Sequence, residues 1–538
     1  MWRFSRSRLS VHLCYAASGI AARRLPIPTT SPIHRFAFVA RLRPLSACAI
    51  LLFWCVFLFG YGIDSGTLYR TEALRAIIGR EALNGHWLVP TLYGEPFLTK
   101  PPGMYVAIGA ASASFGEVTT VSARIPSVLA ATITVFLFFG AFRRIVDRKL
   151  ALAGAMLMPV SFLWLEKAPS AEIDMLQLAW VSGALLCFLR AVNSMDREPA
   201  AQARVSATPL LALRAPNHSF GWWLAALLCV TGGFLTKWTA PAFFYLTTIA
   251  FLYWRGQLRL LFGWRHLLAV GLSIGLCALW AFAVARQAGW SVLIDTVVAE
   301  GSQRFGPRHA GRSYPWLESL SYPFQILAAN APWSMLALYA LQPSFFRQWN
   351  ESGQRLLLLF HCWTWPNLLF WSLPAQHHVR YSLPMCPGIT GLGVMVCLAW
   401  ARRAPLRKAF ASRLHGISPQ MAFLAMLLAW CAVKIVYVEV VQPKRSERPY
   451  LAATTNRLRD LVPAGSTLYL CKLKDEGVLF YYGQPAKRFT WERLPGPGSY
   501  ALLIEAEWRE QSASRRLEAV EWLRDQQGDP VVLVRIRE

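Results

Sequence analysis

Eleven apolar runs, each near the length that crosses a bilayer, are strung along residues 45–440, and no other feature of the chain restricts its fold so much. The hydrocarbon core of a bilayer is about 30 Å thick, so a spanning helix needs about 20 mostly apolar residues. The runs fall at 45–62, 123–142, 150–166, 175–192, 221–236, 239–254, 266–285, 332–346, 355–373, 382–401 and 419–440. A polytopic α-helical membrane protein of about eleven transmembrane helices is predicted. Composition agrees: 55% hydrophobic and only 16% charged residues, with 23 Trp in 538 residues, is more apolar surface than a globular core requires.

The formal net charge of +26 would point to nucleic acid in a soluble chain. Here it reads as topology, because short cytoplasmic loops accumulate Lys and Arg, and no nucleic-acid motif is present. The basic loops are 143–149, 193–220, 255–265, 347–355 and 402–413, which places them in the cytoplasm. The opposite loops, 63–122, 167–174, the hairpin at 237, 287–331 and 374–381, then lie outside, as does everything after 440. Residues 1–44 form a basic tail with no acid before Pro44, read as cytoplasmic and followed by a retained anchor rather than a cleaved signal. The same composition suits an organelle transit peptide or an unstructured extension. The eleven cysteines form no CxxC and no metal spacing, so they read as packing residues.

Two outer loops exceed connector length, 63–122 and 287–331, and chain of that length is expected to be folded and functional. Within the first, 71–84 has the pattern of an amphipathic helix lying on the membrane surface. Residues 441–538 read as a small α/β extracytoplasmic domain, with helices near 458–461 and 515–527 and strands at 467–471, 478–482, 500–505 and 530–536.

The motifs in these loops carry a resemblance. Glu72-x-x-Arg75-Ala76, Arg80-Glu81, Gly85-His86-Trp87, Tyr93-Gly94-Glu95-Pro96-Phe97 and Lys100-Pro101-Pro102 resemble the first extracytoplasmic loop of the GT-C glycosyltransferases. Within that superfamily the protein O-mannosyltransferase-like group, which includes the lipid A aminoarabinose transferase, is the most similar. Further along, Ala171-Glu172-Ile173-Asp174, Gly233-Phe234-Leu235-Thr236-Lys237, Glu300-x-x-x-Arg304-Phe305 and Arg380-Tyr381-x-Leu383-Pro384 resemble later elements of the same group, in order over about residues 45–400. The resemblance implies transfer of a sugar from a polyprenyl-phosphate carrier to the hydroxyl of a lipid, glycan or protein acceptor at the outer face of a membrane, the bacterial inner membrane being the expected one.

Such a reaction needs a base for the acceptor and positive charge where phosphate charge grows. The resemblance implies Lys100 at the lipid phosphate, with Arg75, Lys237, Arg304 and Arg380 as further cations and Tyr105, Tyr314 and Tyr381 in the substrate loops. Glu72 matches the second member of an acidic pair, but Thr71 stands where the first belongs, so Glu72, Asp64 and Asp174 all remain candidates for the base. The resemblance also implies a divalent metal ion held with His309, although Thr99 occupies the position of a helping glutamate; no other cofactor is expected. Each residue has a plainer use as well: Lys100 as an interfacial anchor, Glu72 and Asp174 as first-turn acids of helices. Two readings of other classes are a lipid or sugar transporter, against which stands the gathering of ionisable residues at one face rather than at mid-span, and an inactive membrane scaffold.

Overall fold

The computed structural model describes residues 44–205, 218–305, 314–403, 418–513 and 517–537. The basic tail before Pro44, Cys14 and His309 lie outside them. The chain enters the bundle through α1 (Pro44–Gly60), whose last turn is π-helical. The first long loop holds α2 (Thr71–Leu83), a hairpin of β1 (Thr91–Leu92) and β2 (Glu95–Pro96), and α3 (Gly103–Ser112). Next comes α4 (Thr120–Phe142), whose start is fixed by reciprocal hydrogen bonds between Thr119 and Ser122. The run expected as one span at 150–166 is broken: α5 (Arg148–Leu157) and α6 (Phe162–Lys167) flank Pro159, which cannot donate a helical hydrogen bond, and Ser161 caps the new helix.

Four helices follow, α7 (Ile173–Val205), α8 (His218–Phe234), α9 (Ala240–Trp254) and α10 (Trp264–Ala288). The second long loop is helical too, with α11 (Trp290–Phe305) and α12 (Trp316–Ala329). The run at 332–346 is likewise broken, into α13 (Trp333–Tyr339) and α14 (Pro343–Phe346), with Pro343 opening the second piece. The bundle closes with α15 (Glu351–Trp371), α16 (Cys386–Arg403) after a 3₁₀ turn over Val379–Met385, and α17 (Pro419–Val436), which runs through a π-turn into α18 (Gln442–Ser446). Among the described residues five continuous helical stretches are long and apolar enough to cross a membrane, at 120–142, 173–196, 264–288, 379–403 and 420–446, and four shorter apolar helices accompany them.

The C-terminal part builds α19 (Pro449–Leu461), β3 (Leu468–Leu470), α20 (Glu476–Tyr482), β4 (Ala486–Arg488), β5 (Tyr500–Ile504), α21 (Glu505–Gln511), β6 (Leu517–Arg524) and β7 (Pro530–Ile536). Its five strands form one mixed sheet in the order β4-β3-β5-β7-β6, parallel at β4-β3-β5 and antiparallel beyond. The helical membrane fold with a small C-terminal α/β sheet is thus the observed architecture. Two elements differ from the sequence reading: 478–482 is helix, capped by Asp475 and ended by Gly483 in the left-handed region at φ 76°, and 517–524 is an edge strand.

The helix at 71–83, expected to lie on a membrane surface, is enclosed by protein, with none of its residues exposed. Its buried residues, among them Ala73, Arg75, Ile77, Ile78 and Gly79, reach round more than one face. One hydrophobic cluster joins Ala76, Ile77 and Ile78 of α2 and Met104, Tyr105 and Ile108 of α3 to Leu451, Leu458, Val478, Leu479 and Phe480 of the C-terminal part. The first loop is therefore a layer between the membrane helices and the C-terminal sheet. Tyr481 ties the layers, its hydroxyl accepting from the Leu68 backbone N–H at 2.9 Å and lying 3.2 Å from Thr120 Oγ1.

Candidate active site

The site is assembled by the junctions at which loops meet helix ends. Residues 99–103 re-enter the bundle against the turn between α8 and α9. Gly103 N donates to Leu235 O at 2.7 Å, and Trp238 Nε1 donates to Thr99 O at 3.3 Å. A Cβ on Gly103 would stand 2.6 Å from Thr236 Oγ1 and 2.8 Å from Leu235 O, so this approach requires glycine. Lys100 and Lys237 are thereby brought onto one pair of packed turns.

Lys100 Nζ donates to Thr99 O at 2.8 Å and to Glu300 Oε2 of α11 at 2.5 Å. Lys237 Nζ meets Asp174 Oδ1, in the first turn of α7, at 2.7 Å, and both side chains are 3% exposed. Burial at this level makes partnership obligatory, since an uncompensated charge out of water is costly. The Lys237 ammonium also lies 5.0 Å from the centre of the Tyr381 ring, and Arg380 lies 5.6 Å from the same ring. A cavity opens here, lined by Lys237, Thr239, Tyr322, Trp371, Gln376 and Tyr381.

Glu172, two residues before Asp174, is the hub of a second buried group. It pairs with Arg75 of α2, accepts from Thr71 Oγ1 at 2.7 Å, and has Arg380 Nη1 at 3.5 Å. Arg75 donates also to Thr71 O at 2.9 Å. Electrostatics join the groups: Asp174 feels Lys237, Arg380 and Arg75, while buried Tyr105 feels Arg75, Glu300 and Glu172. Four cations (Lys100, Arg75, Lys237, Arg380) thus face three carboxylates (Glu172, Asp174, Glu300), leaving one positive charge in excess. Arg380 and Lys100 are the accessible cations, with 23% and 20% of the side chain exposed, against 8% for Arg75.

The candidate bases are placed differently from one another. The Glu72 carboxylate is taken up by Arg124 of α4, at 3.4 Å, and by the Ala171 backbone N–H at 2.7 Å. Arg124 in turn donates to Ile63 O and Ser65 O, which pins the loop on either side of Asp64. Asp64 itself is exposed, with no ion pair among the described residues. Tyr105 is 2% exposed inside the cluster shared by α2 and α3, so it supports the site rather than opening onto it. Tyr314 donates to Leu373 O and accepts from Ser319 Oγ at 3.0 Å, tying the second loop to the end of α15. Arg304 belongs to the last turn of α11.

Three participants carried no assigned role in the sequence: Glu300, Arg124 and the Glu172 hub. The motif containing Glu300 was legible, but its partner lies 200 residues away; Arg124 carries no local signal. His309, the metal ligand that the resemblance implies, lies outside the described residues. Among the described residues no group of three His, Cys, Asp or Glu is placed to hold a metal, and Glu172, Asp174 and Glu300 each already meet a cation.

Residues 99–201 match the family described as dolichyl-phosphate-mannose-protein mannosyltransferase, a stretch opening at the Lys100 junction and running through most of α7. A sequence search of the curated proteins gives no match. In three dimensions the chain is similar to ArnT from Cupriavidus metallidurans bound to undecaprenyl phosphate, with a TM-score of 0.64 at 16% identity over 91% of this chain and 98% of that one. The apo state of the same protein gives 0.62 at 16% identity, over 91% and 97%. The archaeal oligosaccharyltransferase AglB from Archaeoglobus fulgidus, in complex with an inhibitory peptide and a dolichol-phosphate, gives 0.51 at 11% identity over 86% of this chain and 69% of that one. At these identities the likeness is one of fold.

Proposed function

We infer, from a chain that has the GT-C membrane fold, that this protein is a glycosyltransferase moving a sugar from a polyprenyl-phosphate carrier to an acceptor hydroxyl at the outer face of the membrane. The observation that carries the reading is the cationic set at the junction of the two long loops, on the fold of a protein that binds undecaprenyl phosphate. In the proposed reaction the acceptor oxygen forms a bond to the anomeric carbon while the bond from that carbon to the phosphate oxygen breaks. The electron pair leaves on the phosphate, and the acceptor proton passes to a carboxylate.

Lys100 and Arg380 are the cations accessible enough to receive the phosphate, and Arg is suited to holding it through two parallel hydrogen bonds. Arg75 and Lys237, buried and paired, act as positioning residues that hold Glu172 and Asp174 beneath. The base role falls to Asp64, whose carboxylate is exposed and in no ion pair among the described residues, while Glu72 fastens α2 to α4 and to the start of α7. The lipid-linked donor, the C-terminal sheet on the outer side and a bacterial inner-membrane location complete the reading.

The test is transfer by the purified, reconstituted protein from a panel of labelled polyprenyl-phosphate sugars to lipid, glycan and peptide acceptors. Release of polyprenyl phosphate coupled to a glycosylated product supports it, and absence of transfer from every donor overturns it. Because the nearby carboxylates are already paired with side-chain cations, a chelator should leave the rate unchanged.

A further inference from the structure

Glu300 stands where an anion bound at Lys100 would stand. Its carboxylate oxygen is 2.5 Å from Lys100 Nζ, and about a fifth of each side chain is exposed, so the pair is at the rim of the site rather than in its foundation. The helix that carries it is held lightly. Of the apolar residues along α11, Leu293 is buried with Val89, Leu98, Trp280 and Val284, whereas Ile294, Val297 and Val298 are 55%, 44% and 63% exposed. Among the described residues Glu300, two turns beyond Leu293, is a further tie of α11, and it fastens a helix of the second loop to the junction of the first.

We propose that Glu300 is a displaceable counterion that yields Lys100 to the carrier phosphate and returns to it after transfer, expelling the spent carrier. The proposal rests on the reading that Lys100 receives that phosphate. Two anions cannot share one ammonium at full strength, because like charges at such separations repel. A sugar-linked carrier is a phosphodiester with one negative charge; the released carrier is a monoester whose charge approaches two near neutral pH. Attraction to the cationic set therefore rises at the moment the carrier has to leave. A carboxylate that competes for the same ammonium offsets that rise, and since it is mounted on a lightly anchored helix, its departure and return move α11 away from and back onto the junction.

The experiment is equilibrium binding of undecaprenyl phosphate to the full-length protein in nanodiscs, with Glu300→Gln, Lys100→Ala and the double variant, together with hydrogen exchange of α11. Glu300→Gln should tighten binding about tenfold and Lys100→Ala should weaken it by a similar factor. The double variant should match Lys100→Ala, because Glu300 acts through Lys100. In the wild type, exchange across 290–302 should rise on saturation with undecaprenyl phosphate. Binding by Glu300→Gln that is unchanged or weaker, with Lys100→Ala still defective, overturns the counterion role and leaves the phosphate reading standing. Lys100→Ala that binds like the wild type overturns the phosphate reading, and the counterion role with it.

Discussion

Side chains that compete for one task are separated here by what already holds them. Glu72 is engaged by Arg124, whose side chain is 4% exposed, so Glu72→Gln leaves a buried guanidinium short of its counter-charge. That variant should lower the melting temperature, with turnover per folded molecule largely kept. Asp64→Asn should do the opposite, lowering kcat by about 10² to 10⁴ while the melting temperature holds, since a lost general base is worth about that factor. Paired melting and kinetic measurements decide it, and the reverse order returns the base to Glu72. The Asp174–Lys237 pair calls for a cycle rather than a single substitution. Asp174→Asn or Lys237→Met alone strands a buried charge and should cost about 3–5 kcal/mol, whereas both together should cost less than either; thermal unfolding of the four forms shows whether they couple. From the sequence, the residue types of the site could be read, but not their pairings, because Glu172 meets Arg75 across 97 positions and Lys100 meets Glu300 across 200. The substitution at Thr71 takes on a physical meaning once folded: its hydroxyl donates to the carboxylate of Glu172, so an acid from the start of α7 occupies the space beside the missing one.

At the level of elements, the contact between 99–103 and the α8–α9 turn sets how far Lys100 stands from Lys237. Gly103→Ala should force the two turns apart, because a Cβ only 2.8 Å from Leu235 O meets backbone rather than a yielding side chain. The expected result is a rise in KM for the lipid donor together with a lower melting temperature, and an unchanged KM would show that this spacing does not matter for donor binding. The apolar runs were legible because the bilayer imposes one length on every span, although the prolines at 159 and 343 divide two of them. The C-terminal elements were harder. Val478-Leu-Phe-Tyr-Tyr482 has the composition of a strand, but Asp475 before it and Gly483 after it are helix start and stop signals, and packing against α2 favours helix. Leu517–Arg524 contains good helix formers, yet pairing with β7 makes it a strand, and the irregularity between Ala519 and Glu521 breaks the alternation that would have revealed it.

Across the whole molecule, the C-terminal part and the first loop share one core, and a titratable group sits at their joint. Asp475 accepts from the backbone N–H groups of Val478 and Gln526, and Gln526 Nε2 reaches Leu68 O. Burial, with the charges of Asp525 and Glu476, pushes the Asp475 carboxyl up to about 6 from 3.8. The folded state thus keeps a proton that the unfolded chain has released, so this contribution to stability is complete below about pH 4 and is lost as pH rises to about 6 and beyond. Asp475→Asn, which cannot ionise, should gain in melting temperature relative to the wild type as pH is raised from 4 to 7; a difference that stays constant with pH would show the carboxyl does not titrate in that window. The same joint bears on how the protein is made. Leu68 and the Tyr481 hydroxyl that satisfies its backbone N–H are 413 residues apart. At a synthesis rate of about 5–20 residues per second, the first loop waits roughly 20 to 80 s for its cover. Through that interval its apolar faces are available to chaperones and proteases on the side where it emerges, so the vulnerable stage in the life of this molecule is its own birth.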